Sequence, residues 1–365
     1  KRKGGLDHFQ KKLITGMLDR GHSKEFAERI FDQIKGFGVY GFPESHAASF
    51  ALLVYISAWI KKHEPAAFYC GLLNSQPMGF YSPSQLIQDA HRHNIKILPV
   101  DIKKSVWESV LETPEKNKKN SEEHAYIRLG FHQIKGFKKN SALNIEEARK
   151  NSPIKNIEDA KKRAALDKGD LEKLTESGAF KSLSGNRHQT HWEVLGLPPD
   201  LPIFRSEDTN YKPRPRLESL LPSPTEADDL RADYQNMGLT LGRHPLAMLR
   251  EQKSYPFRNQ QTADSLKDLR KGQIVNVSGI VTGRQRPSTA SGVLFLTLED
   301  ETNNINVIIW KNIFERYKAS AVQGNLLTIK GTLEKKDRII HVIAKEITDV
   351  SHFLETFSLK SRDFH

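Results

Sequence analysis

Cysteine is nearly absent: Cys70 is the single thiol in 365 residues. One thiol excludes an internal disulfide framework and a cysteine-rich zinc site, and it fits a reducing cytosol. Its apolar helical surroundings predict a packed thiol, not a reactive one. Long hydrophobic runs are missing too. Ala47 to Ile60 is apolar but too short for a bilayer, and Ser49, Ser57 and the following Lys61-Lys62 argue the same way. With no signal peptide in sight, the expectation is a cytoplasmic protein away from membranes. No Asp-x-Asp occurs, so the paired strand carboxylates that hold two metal ions about 4 Å apart in phosphoryl transfer are not written here. His63-Glu64 fails as a zinc-protease motif, because Ala67 stands four residues after His63 and Pro65 intervenes. His91/His93 and His188/His191 lack neighbouring cysteines or clustered carboxylates, and read as surface or phosphate-contacting histidines. Glu299-Asp300-Glu301, at the end of an apparent strand, reads as a solvated turn.

Positive charge, by contrast, is plentiful. Lys and Arg total 56 against 44 Asp and Glu, a net charge of +12, which favours a polyanionic partner. Residues 1–105 carry 15 basic against 9 acidic side chains and residues 124–197 carry 14 against 9, whereas residues 273–348 carry 10 against 7. The electrostatic footprint therefore lies mostly in the first two segments.

Periodicity divides the chain. Leu13, Met17 and Leu18, then Phe26, Ile30, Phe31 and Ile34, fall at helical spacing, and further helices are expected at Ala66–Asn74 and Pro83–His93. Ile95 to Val100 reads as extended, and residues 108–123 as a hairpin tip or disordered loop. Residues 124–197 return to helix, opening with Tyr126-Ile127-Arg128-Leu129-Gly130-Phe131. Leu197 to Pro224 is Pro-rich and aperiodic, hence linker, with short helices after it. From Gln273 the period becomes two. Val275, Val277 and Val281, and then Leu294, Leu296 and Leu298, point to a core, with Gly279 as a bend. Asn276, Ser278, Ile280, Val293, Phe295 and Thr297 should face the other way. Three strands, a helix and two strands is the order of an OB-fold. The fold class is thus multidomain α+β: mostly helical at first, then a small all-β barrel. The boundaries are 1–123, 124–197, 198–272, 273–350 and a tail at 351–365.

Three stretches carry candidate chemistry. Gln133-Ile134-Lys135-Gly136-Phe137 before a helix fits a helix-hairpin-helix, in which a Gly turn offers backbone N–H groups to a phosphate. The usual second glycine is replaced by Lys138, with Lys139 beside it, and these lysines supply charge instead. The same letters at Gln33-Ile34-Lys35-Gly36-Phe37-Gly38 read as a helix C-cap with Gly36 or Gly38 at positive φ. In the barrel, Phe295 is the stacking platform for a base, with Arg284 and Arg286 on the first loop and Lys335, Lys336 and Arg338 on the last. A barrel that docks on protein instead remains the alternative.

Tyr40-Gly41-Phe42-Pro43-Glu44-Ser45-His46 followed by an apolar helix is the most telling stretch, because a Ser-His pair at a helix mouth suits phosphate. It resembles the fingers domain of bacterial C-family DNA polymerases. The resemblance covers essentially the whole chain: fingers, helix-hairpin-helix module (Leu171–Phe180 and Arg187-His188 resembling its second half), then OB domain. Pro43-Glu44, Leu73-Asn74-Ser75-Gln76-Pro77-Met78-Gly79-Phe80-Tyr81 and Arg284-Gln285-Arg286-Pro287 resemble the error-prone, damage-tolerant branch. The resemblance implies a fragment of an enzyme that extends primer-template DNA with deoxynucleoside triphosphates across lesions. Its Mg²⁺ would be held by a palm not in this segment, so that the piece alone is inactive. His46 would contact the sugar and Ser45 the triphosphate. The partners implied are a Y-family-like accessory protein and a recombinase-type protein. Gln235-Asn236-Met237-Gly238-Leu239 is a poor clamp peptide, so the sliding clamp would be reached indirectly. Alternatives are a non-enzymatic DNA-binding scaffold or a fragment of a replicative polymerase subunit. The start at Lys1-Arg2-Lys3, without methionine, fits a piece of a longer protein.

Overall fold

A computed structural model describes residues 7–40, 44–79, 81–113, 125–197, 222–251, 256–287, 292–336 and 339–355. It forms two compact units, Lys1–Phe68 and Tyr69–His365.

The first unit is helical: α1 (Asp7–Leu18), α2 (Lys24–Tyr40), α3 (Glu44–His63) and the start of α4 (Pro65–Asn74). Ala27 and Phe31, one turn apart on α2, are buried. The expected C-cap at Gly36 or Gly38 is overturned, because α2 runs through both glycines to Tyr40. A glycine inside a helix costs only about 1 kcal/mol, which context can override. Gly41, Phe42 and Pro43 lie outside the described residues. Helix α3 is apolar on several sides, yet Leu52, Leu53, Val54, Tyr55 and Trp59 are all exposed.

The second unit opens with Tyr69, Cys70 and Leu73 buried on α4. Helix α5 (Pro83–Arg92) starts at a capping box in which Ser82 and Gln85 bond each other's backbone amides. Then β1 (Ile97–Leu98), β2 (Val110–Glu112) and β3 (Tyr126–Arg128) form a sheet with β3 in the middle, parallel to β1 and antiparallel to β2. The helix expected from Tyr126 onward is therefore a strand first. Tyr126-Ile127 suits a pleated surface, and pairing on both edges buries Ile127 completely. Residues 114–124, most of the loop expected at 108–123, lie outside the described residues.

Helices α6 (Lys139–Asn151), α7 (Ile157–Arg163), α8 (Lys168–Glu176), α9 (Lys181–Ser184) and α10 (Arg187–Leu195) follow. Asn156, Asp167 and Asn186 cap α7, α8 and α10 by accepting from an amide three residues on. After residues 198–221, which lie outside the described residues, come α11 (Glu226–Asn236) and α12 (Pro245–Glu251). The barrel consists of β4 (Ile274–Gln285), β5 (Leu294–Glu299), β6 (Asn304–Ile309), β7 (Leu326–Lys336) and β8 (Ile339–Asp349). Helices α13 (Lys311–Arg316) and α14 (Lys318–Gln323) lie between β6 and β7, and α15 (His352–Glu355) ends the described chain. The strands close in the order β4-β5-β6-β8-β7.

Val275, Val277, Leu294, Leu296, Leu298, Val307, Ile329 and Val342 fill the barrel, and Val281 packs against them. Gly279 remains within β4, where a Cβ would lie 2.5 Å from the Leu298 Cβ, so its task is close approach of β5. The expected outward face is only partly outward. Ser278 and Val293 are buried, and Ile280 packs into a second apolar cluster with Leu230, Leu246, Leu249, Phe257 and Leu326. Helices α11 and α12 thus wrap one side of the barrel, and the segment after the Pro-rich stretch is structural.

Candidate nucleic-acid interface

The first hairpin spans Gln133 to Lys139. A 3-10 turn at Phe131–Gln133 precedes it where a full helix was expected, and Gly136 makes the reversal at φ +67°. Such a positive φ strains any residue with a Cβ, which accounts for the glycine. Phe131 and Phe137 pack beneath, with ring centroids 5.7 Å apart. Lys138 sits at the N-cap of α6 with no side-chain hydrogen bond to the first-turn amides, so the helix offers N–H groups to an anion.

The lysines around this turn do different things. Lys135 Nζ donates to the Tyr234 and Gln235 carbonyls at the end of α11, at 2.8 Å each. Lys173 Nζ, from α8, donates to the Gly136 carbonyl at 2.5 Å. Lys138 Nζ pairs with Asp167 at 2.5 Å and lies 4.0 Å from buried Asp170. The Asp167 carboxylate raises the Lys138 ammonium above the ordinary lysine value. Lys139, the first residue of α6, is exposed. Of the hairpin residues predicted to bind DNA, Lys135 and Lys138 thus carry internal partners, while Gly136 and Lys139 stay at the outer edge.

A second reversal joins α8 to α9 through Ser177, Gly178 and Ala179, with Gly178 at φ +75°. Lys181 follows Gly178 by three residues, as Lys139 follows Gly136. Arg187, expected in the basic part of this half, is turned inward. Its guanidinium donates to the Glu176 carbonyl at 2.9 Å, to Asp229, and to Asp233 at 2.5 Å. Asp233 also accepts from Thr240 Oγ1 at 2.6 Å, and burial holds its carboxyl above the usual value despite Arg187. His188 Nδ1 lies 2.7 Å from the Pro222 carbonyl, and His191 Nε2 lies 2.6 Å from Glu176. Sequence reasoning missed this docking of α11. The signal was Asp229 and Asp233, four residues apart on one helix face.

On the barrel, two cross-strand rows face out: Gln285, Phe295, Ile308 and Ile343, and beside them Gly283, Thr297, Asn306 and His341. Phe295 is 37 % exposed, and between the rows lies a depression of about 220 Å³. The expected cations are sorted unevenly around it. Arg284 lies on β4 and donates to the Ala321 carbonyl at 3.1 Å and to the Gly324 carbonyl, closing one end of the barrel. Burial lowers its guanidinium below the ordinary arginine value. Arg284 thus stands within β4 and not on the first loop where it was expected, and a bulge between Val281 and Gly283 resets which side chains face out. Arg286 lies 4.4 Å from the Phe314 ring centre, a cation–π contact. Lys335 Nζ donates to the Lys267 carbonyl at 2.6 Å, and Lys336 is exposed. Arg338 lies outside the described residues. So do the side chains of Ser45 and His46, whose backbones form part of the first turn of α3.

The Glu299-Asp300-Glu301 run corrects another expectation. Asp300 is buried and accepts from the amides of Ala263, Thr302 and Asn303. Arg250 approaches Glu301 at 3.1 Å and Asp300 at 3.6 Å, and His244 lies 3.6 Å from Glu299. Instead of a solvated turn, the acids anchor α12 to the barrel. Cys70 is buried, as expected; its Sγ donates to the Ser109 carbonyl, and burial pushes the thiol up. Among the described residues no cluster of His, Cys, Asp or Glu is arranged to hold a metal ion, and no helix is long and apolar enough to cross a membrane.

Two family profiles match: "Helix-hairpin-helix motif" over residues 94–190 and "OB-fold nucleic acid binding domain" over residues 275–350. Proteins named error-prone DNA polymerase are similar along nearly the entire sequence. That of Teredinibacter turnerae is 47 % identical over 99 % of this chain and 35 % of its own length. Those of Pseudomonas paraeruginosa and Pseudomonas syringae pv. tomato are 46 % and 48 % identical over 100 % of this chain and 34 % of theirs. The chain thus spans about a third of the length of these relatives.

Proposed function

We propose, from similarity to error-prone DNA polymerases that covers 99–100 % of this chain at 46–48 % identity, that this chain is the nucleotide- and DNA-contacting C-terminal portion of such an enzyme. That coverage is the observation that carries the reading. The intact polymerase would extend a primer with deoxynucleoside triphosphates opposite damaged template. Mg²⁺ would be bound by carboxylates beyond this segment, since the described residues provide no suitable set, and the segment alone would not extend a primer. Its partners would be a Y-family-like accessory protein and a recombinase-type protein, with the sliding clamp reached through them.

Within this reading the domains are fingers at 1–123, the hairpin module at 124–197, the connecting segment at 198–272 and the barrel at 273–350. Ser45 and His46 hold the incoming nucleotide at the start of α3. Duplex DNA lies on the first hairpin, where Gly136 and Lys139 are exposed. Single-stranded template crosses the barrel at Phe295, flanked by Arg286, Lys336 and Arg338.

The test is binding of primed DNA to this chain by fluorescence anisotropy across a salt series. Lys139→Ala should flatten the plot of log K against log salt by about 0.9, one duplex phosphate. Lys138→Ala should leave that slope nearly unchanged and cost only a little stability, because its pair with Asp167 is exposed. An unchanged slope in Lys139→Ala would remove the hairpin from the interface, and absence of DNA binding would refute the reading. In an intact polymerase, His46→Ala should raise ribonucleotide insertion relative to deoxynucleotide insertion, measured by single-nucleotide kinetics.

A further inference from the structure

The outer barrel face is more than a stacking surface. Its depression is lined by Gly283, Gln285, Phe295, Thr297, Asn306 and His341. The hollow depends on Gly283. Any side chain there would occupy it, and a Cβ would already touch the Thr297 side chain at 3.6 Å. The chemistry of the lining is mixed. Phe295 offers one aromatic face. Asn306 and Gln285, both exposed, each offer a carboxamide with a donor and an acceptor side by side. His341 stands directly across the parallel β6–β8 register from Asn306 and lines the depression with it, adding an imidazole beside the carboxamide.

We infer that this depression is a subsite for one unpaired nucleobase, stacked on Phe295 and read at its edge by Asn306 and His341, so that the barrel has a base preference. The inference deepens the reading of the barrel as a single-strand site and rests on it. A stacking platform accepts every base, since each has a π-face. A carboxamide and an imidazole beside that platform distinguish bases by their pattern of donors and acceptors. A depression of about 220 Å³ is smaller than the clefts of roughly 300–1,000 Å³ that take drug-sized ligands, in keeping with a single base.

The experiment measures binding of the full chain to short oligo(dA), oligo(dC) and oligo(dT) at one fixed salt. The wild type should separate the best from the worst homopolymer by about fivefold or more. Asn306→Ala with His341→Ala should bring that ratio close to one while keeping affinity for the weakest homopolymer. Gly283→Val should weaken all three, with an unchanged circular-dichroism melt showing that the barrel is intact. Equal binding of all homopolymers by the wild type, or an undiminished ratio in the double variant, would overturn the inference and leave the barrel as an indiscriminate stacking surface. A Gly283→Val protein that melts normally and binds unchanged would overturn the subsite. If the wild type binds no homopolymer, the single-strand reading of the barrel falls, and this inference with it.

Discussion

Replacing Arg187 with methionine should loosen α11 from the hairpin module far more than an ordinary surface change would. Methionine keeps much of the stem but removes the guanidinium that bonds Asp229, Asp233 and the Glu176 carbonyl. The contributions differ. The Asp229 side chain is 37 % exposed and resolvates, so its share is below about 1 kcal/mol. The Asp233 side chain is 15 % exposed and keeps only Thr240 as a close partner. Stranding one member of a buried pair costs about 3–5 kcal/mol, and partial access puts Asp233 at the lower end. The lost bond to the Glu176 carbonyl adds about 1 kcal/mol. A total of about 4 kcal/mol corresponds to a several-hundredfold rise in opening, at 1.4 kcal/mol per tenfold. Amide hydrogen exchange along Glu226–Asn236 reads this directly. The penalty should also shrink in acid. Burial already raises the Asp233 carboxyl; without Arg187 it rises further, and as pH falls through that value the stranded group becomes neutral. Asp233→Asn should remove most of the effect of Arg187→Met. The reasoning fails if α11 exchange rises less than tenfold, or if the two substitutions are additive within about 0.5 kcal/mol.

Glu112 predicts an acid-sensitive edge on the small sheet. Its carboxylate accepts from Arg128 at 2.7 and 3.1 Å, and this bonding holds its pKa below the usual carboxylate value. The stabilisation is present above the unfolded value and is lost as pH falls through the depressed folded one. Glu112→Gln should therefore lower the urea midpoint at pH 7, by about 2 kcal/mol in stability, and its cost should shrink as pH falls below the ordinary carboxylate range; a gap independent of pH contradicts this. Arg284→Met should destabilise the barrel by about 2 kcal/mol, since the Ala321 and Gly324 carbonyls lose a charged donor. The salt slope of DNA binding should not change. A slope lowered by about 0.7 with normal stability would make Arg284 a single-strand contact instead.

The legible parts of this chain were those in which local pattern and tertiary environment agree. In β4 and β5 the inward residues could be read off as every second position, because one face of each strand packs into a closed barrel and a slip of one residue would expose all of it. Helix α5 carried its own start signal in Ser82, Pro83 and Gln85. The misreadings came where one signal had two physical uses. Tyr126-Ile127-Arg128 borders a helical region but is held as strand by partners about 15 and 30 residues upstream. Gly36 and Gly38 could end a helix or sit within one, and only the surrounding chain decides.

Charge was the least legible property at residue level, although its sum pointed to a polyanion. Net positive charge sets the long-range field regardless of where each cation is used, whereas direct phosphate contact needs a cation free to turn outward. Several of the basic residues singled out from sequence are bonded to the chain itself: Lys135 and Arg187 dock α11, Lys138 ties α6 to α8, and Arg284 closes the barrel. Arg250, which sequence reading passed over, performs the same task between α12 and Asp300. Within the second unit the connecting segment is thereby tied by ion pairs to the hairpin module on one side and to the barrel on the other. Exposed Lys139 and the Phe295 face are then carried on one body. A strand bound at both would have to match a spacing set by α11 and α12, so loosening α11 should cost DNA affinity even though no residue of α11 need touch DNA.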